Sequence, residues 1–93
     1  MSEYIEIQPE PTDDPEVMCL ITNLSLTPED GWEEYDSPEQ GQEGSPLAQA
    51  LFAVPGLDAL TLDGSNIFIT RASDIEWHDL IEDISDVLRD FFL

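Results

Sequence analysis

The sequence predicts an α+β fold of order βββ-α-ββ-α, a largely antiparallel sheet packed with two helices. Three observations carry that reading. A helix with both ends marked starts at Ser45-Pro46 and stops at Pro55-Gly56. Two β-type runs, residues 57–62 and 67–70, flank Asp63-Gly64-Ser65-Asn66, a hairpin signal. A long apolar stripe then runs through Trp77, Leu80, Ile81, Ile84, Leu88 and Phe91 at helical spacing.

The elements follow in order. Tyr4-Ile5-Glu6-Ile7-Gln8 alternates and predicts a strand half buried through Ile5 and Ile7. Residues 9–16, with three prolines and two aspartates, read as a turn, because proline removes donors and Asp bonds its own backbone. Val17–Thr22 is apolar on both faces, as a central strand should be. Residues 23–31 form a connection. Trp32–Tyr35 is a short strand, placed at an edge where its charges deter pairing. Residues 36–44, polar and with two glycines, read as a loop.

Ser45 is a good N-cap and Pro46 suits the first helical position. Leu47, Ala50, Leu51 and Val54 then share one face. Ser73 and Glu76 have capping-box spacing before the last helix. The predicted core contains Leu51, Trp77, Leu80, Ile84 and Leu88.

Ninety-three residues make one domain, 1–93, and 41% hydrophobic content supplies one core. No apolar run reaches the length of a membrane span. Met1-Ser2-Glu3-Tyr4 has neither the basic nor the apolar region of a signal peptide, so the expected compartment is the cytoplasm. A single Cys fits a reducing compartment.

Twenty-two acids against two bases give a net charge of −20. Such a surface repels phosphate backbones and anionic lipids, which disfavours nucleic acid and membrane as partners. It steers basic proteins inward. Three origins of the acidity compete: a solvated surface, adaptation to a salt-rich cytoplasm, and a surface shaped for a basic partner.

Few residues carry chemistry. Cys19 shares a strand face with Val17 and Ile21 and is expected to be a small buried apolar side chain. No cation lies near it in sequence to favour a thiolate. As the one thiol, it is the sole metal candidate. His78, the only histidine, reads as a solvated helix residue, and no nucleophilic triad is written around it. Glu10, Asp13, Asp14 and Glu16 lack the spacing of a calcium loop and read as turn chemistry. No phosphate-binding glycine loop and no Cys-x-x-Cys occur. The expectation is therefore no enzyme. Trp32, Phe92 and Leu93 are the candidates for partner binding; the competing expectation is that they close the core.

The marked helix and its surroundings resemble the N-terminal domain of the Nfu/NifU-like iron–sulfur cluster scaffold proteins. The matching motifs are Ser45-Pro46-Leu47-Ala48, Leu51-Phe52-Ala53-Val54-Pro55-Gly56-Leu57, Ile67-Phe68-Ile69-Thr70-Arg71 and Trp77-His78-Asp79-Leu80. Thr12, Pro15 and Met18 echo the family's opening motif, in which Cys19 replaces a lysine. The resemblance implies the fold derived above. It also implies an accessory or protein-interaction module in iron–sulfur cluster assembly or delivery.

In the family, a second domain with a Cys-x-x-Cys pair holds the cluster. The chain reads as a stand-alone copy of the first module, and iron binding is a property of the family. One thiol cannot hold a cluster within a monomer, so none is expected on the isolated chain. A cluster is met only through a partner. The implied partners are iron–sulfur assembly or recipient proteins, including a NifU-like Cys-x-x-Cys protein. The alternative from charge alone is an acidic nucleic-acid mimic or inhibitor that occupies a basic site on another macromolecule.

Overall fold

Gly64 and Ser65 close the hairpin at the centre of the sheet. Gly64 takes a φ of +63°, and no other residue of that turn is at positive φ, the pattern of a type II′ turn. The computed structural model describes residues 5–26, 31–72 and 74–92. Its strands are β1 (Ile7–Pro11), β2 (Val17–Thr22), β3 (Trp32–Tyr35), β4 (Leu57–Asp63) and β5 (Asn66–Arg71). Its helices are α1 (Pro38–Gln42), α2 (Pro46–Phe52) and α3 (Trp77–Phe92). The sheet order is β1-β2-β5-β4-β3, antiparallel at every ladder.

The β4–β5 ladder runs from Asp63↔Asn66 outward. Its register shifts between Leu57 and Ala59. An extra residue there resets the alternation, so Leu57 and Leu60 both point inward although three apart. The inward face of the sheet presents Leu20, Leu60, Leu62, Ile67 and Ile69. Leu47, Ala48, Leu51 and Val54 from the α2 region and Leu80, Ile84 and Leu88 from α3 pack against it in one cluster. All the core-building helical residues thus lie on one side of the sheet. Trp77 is only partly buried, and its indole Nε1 donates to Pro15 O at 3.2 Å.

Three expectations change. The first strand sits at Ile7–Pro11 rather than at residues 4–8, and Tyr4 lies outside the described residues. Pro9 and Pro11 read as turn formers, but β1 is an edge strand. Residues 9 and 11 are two apart and direct their backbone nitrogens away from β2, where a missing donor costs nothing. The turn shrinks to residues 12–16. There Asp14 Oδ1 accepts from Glu16 N at 2.9 Å and Val17 N donates to Asp14 O at 3.0 Å.

The predicted loop 36–44 contains α1. Ser37 caps it by accepting from Gln40 N, and Gln40 Oε1 accepts from Asp36 N at 2.9 Å. The described residues therefore carry three helices.

Phe91, expected at the end of the α3 stripe, is 45% exposed. It borders a groove with Ala50, Ala53 and Val87, and the two alanines are too small to cover it. On α2, Ala48 is fully buried and Ala50 only half buried. Ser73, the predicted cap of α3, lies outside the described residues.

Candidate functional site

The sheet has a second face, and none of the core cluster lies on it. Strand alternation sends Val17, Cys19 and Ile21 of β2 away from the helices. The registers then extend three rows across the sheet. One reads Glu10, Cys19, Phe68, Thr61 and Glu34 from edge to edge. Beside it lie Gln8, Ile21, Asn66, Asp63 and Trp32. A shorter row holds Val17, Thr70 and Ala59. Val17, Cys19 and Ile21 on β2 and Phe68 on β5 form an apolar patch on this face, bordered by Thr61, Asn66 and Thr70. Ile21 is 40% exposed and Trp32 63% exposed, while Phe68 is half buried among its neighbours. Its charged members among the described strand residues are all acids: Glu10, Glu34 and Asp63.

Both cations are engaged elsewhere. Arg71 lies on the helix side, where its Nη1 donates to Ile75 O at 2.6 Å. Its guanidinium carbon stands 5.5 Å from the centre of the Trp77 ring. Its Nε is 3.2 Å from Glu16 Oε2, but without hydrogen-bond alignment, so that contact is Coulombic. Arg89 meets Asp86 one turn earlier at 3.4 Å.

Cys19 is half buried on the open face rather than within the core. The sequence left this ambiguous, because β2 is apolar on both sides and either set of alternate residues fits a core. Burial pushes its thiol pKa up, and the Glu10 carboxylate opposite it adds to the rise. The protonated thiol is a poor nucleophile and a poor metal ligand.

His78 is exposed and stands 3.7 Å from Glu82, which is also exposed. Of the acids near the first turn, Asp14 bonds the backbone and Glu16 faces Arg71. Among the described residues, no group of three or more His, Cys, Asp or Glu side chains is placed to hold a metal ion.

The expected partner-binding residues fall in different places. Trp32 joins the open sheet face at its β3 edge. Phe92, 37% exposed, ends α3 on the helix side, its ring 5.1 Å from that of Phe91. Leu93 lies outside the described residues. Ile21 and Phe68 were missed. The signal for them was present: five strands and core-facing helices too few to cover two faces.

A second concavity, about 420 Å³, lies between α3 and the α2–β4 connection. Pro55, Ile75 and Leu80 line it with the carboxylates of Asp79, Glu82 and Asp83. No described helix is long and apolar enough to cross a membrane.

Comparison with known proteins matches the family model for the scaffold protein Nfu/NifU N terminal over residues 7–93. No curated protein sequence matches significantly. Three solved structures share the fold. A NifU-like protein from Saccharomyces cerevisiae superposes with a TM-score of 0.77 at 20% identity, covering 97% of this chain and 82% of its own. Protein SAV1430 from Staphylococcus aureus gives 0.72 at 13% identity, over 89% and 98%. SeR13 from Staphylococcus epidermidis gives 0.57 at 22%, over 92% and 98%. With the family model spanning nearly all of its length, the chain belongs to the Nfu/NifU N-terminal scaffold family.

Proposed function

We propose that this domain is a non-catalytic interaction module of iron–sulfur cluster assembly or delivery, working in the cytoplasm with partners that supply the thiolates. Membership of the Nfu/NifU family supports the pathway. The observation that carries the division of labour is Cys19. The single thiol is half buried, opposite a carboxylate, and biased toward its protonated form. Clusters require several thiolates, so the residues present do not fit one. The cluster is cargo held by the partner, with a NifU-like Cys-x-x-Cys protein as the natural holder.

Anaerobic reconstitution with iron and sulfide, followed by desalting, tests this. The isolated chain should retain no charge-transfer absorbance, and Cys19→Ser should behave identically. Retained absorbance that Cys19→Ser abolishes overturns the reading. The net charge of −20 favours a second reading, an acidic mimic that occupies a basic site. Low-salt pull-downs that return only nucleic-acid-binding proteins would select it. Recovery of cluster-assembly or recipient proteins supports the first.

A further inference from the structure

We infer that the face of the sheet covered by no described helix is the docking surface, and that its occupant is a segment of a partner protein with an apolar middle and basic ends. The inference rests on the reading above only in requiring a partner; the surface and the chemistry come from the strand registers. The row Glu10, Cys19, Phe68, Thr61, Glu34 crosses all five strands. Four strand spacings separate the backbones of Glu10 and Glu34 by about 19 Å. Between them lie Cys19, Phe68 and, one row over, Ile21. Trp32 adds a separate exposed apolar side chain at the β3 edge, beyond Asn66 and Asp63 in the row of Ile21.

A cation at either end of a bound segment meets a carboxylate at the rim, while the centre loses water. Neither arginine competes, since each is held by Glu16 or Asp86 away from this face.

Other occupants fit worse. A second copy stacked on this face would bring Glu10, Glu34 and Asp63 against their counterparts, in a chain already at −20. Phosphate backbones and anionic lipids meet the same repulsion. The groove beside Phe91 is apolar but has a single carboxylate, Asp90, in its lining, so it lacks the two-ended charge pattern.

The test uses the whole chain, isotope-labelled, and a synthetic peptide with leucines at its centre and arginines at both ends. A second peptide replaces the arginines by glutamates. Amide shifts should gather at Cys19, Ile21 and Phe68, together with the Trp32 indole, for the basic peptide only. Affinity should fall at least about tenfold between roughly 50 mM and 500 mM salt, as the screening length shortens. Ile21→Lys changes a position that is 40% exposed and outside the core cluster. It should weaken binding at least about tenfold without lowering the melting temperature. Trp32→Ser, at the most exposed residue, should weaken it in the same direction.

Shifts centred on Phe91 and Phe92, equal binding of both peptides, or no binding of either overturns the inference. So does concentration-dependent dimerisation that moves the same resonances, which assigns the face to a second copy. The reconstitution result is independent of all of these, so a failed docking surface leaves the assembly role standing, and the reverse.

Discussion

Glu10 and Cys19 face each other across the β1–β2 ladder, and that pairing governs what the thiol does. Burial comes first and the carboxylate second in raising its pKa. Alkylation of Cys19 by iodoacetamide should therefore be slow at neutral pH and rise only at alkaline pH. Glu10→Gln removes the Coulombic part and should move the rate profile to lower pH, leaving the burial part in place. A profile unmoved by Glu10→Gln refutes the assignment. The stability sign follows. In the unfolded chain the thiol ionises at its ordinary pKa, before the folded one does, so the unfolded state binds fewer protons above that pH. Stability is then lost as pH rises through that window. The face on which Cys19 sits was illegible because β2 is apolar at nearly every position. In the last helix the stripe was legible through Leu88 and failed at Phe91, where two alanines face it.

Two helices begin with the same pair, Ser37-Pro38 and Ser45-Pro46, and only the second was legible as a helix. After Pro46 come apolar residues at helical spacing. After Pro38 come Glu39, Gln40, Gly41 and Gln42, with no apolar period and a helix-averse glycine. The overlooked signal was Ser37 with Gln40 three residues on, a capping pattern. What fixes α1 in place is tertiary. Gly41 is buried against Phe52, whose ring meets Tyr35 edge-on with centres 6.1 Å apart. The Tyr35 hydroxyl donates to Glu33 and accepts from Ser45 N. A β-carbon at Gly41 would lie 1.9 Å from that phenylalanine ring. On helix propensity alone Gly41→Ala should stabilise by up to about 1 kcal/mol. Overpacking of about 1–3 kcal/mol outweighs it, so the melting temperature should fall. A rise in the thermal melt would show that Phe52 moves aside freely. The prolines of β1 misled in the opposite direction: an edge position accepts what a central strand cannot.

At the scale of the whole molecule, charge dominates. Twenty-two acids on 93 residues are answered by two arginines, each already committed to an acid. Expansion on unfolding relieves that repulsion. Raising salt from about 0.1 M to about 1 M shortens the screening length from roughly 10 Å to 3 Å and removes much of the relief. The melting temperature should climb over that range in sodium chloride. It should climb equally in a non-binding sodium salt. A flat or falling midpoint would mean that the acids are already balanced locally. The order of elements was legible at this scale, because two periods, one helical and one alternating, punctuate the chain. That one face stays open was legible only through the count of strands against helices; which residues lie on it was not, because β2 is apolar on both sides.

The strand order β1-β2-β5-β4-β3 also fixes a timetable. On the ribosome the N-terminal strands emerge first, yet β2 rests against β5 and β3 against β4. Until residue 71 has been made, β2 has only β1 beside it, and β3 has no neighbour until β4 is complete at residue 63. The last-made hairpin, β4–β5, closes locally through Gly64 and Ser65 and then receives the waiting strands on both flanks. Translation therefore delivers the margins of this sheet before its middle.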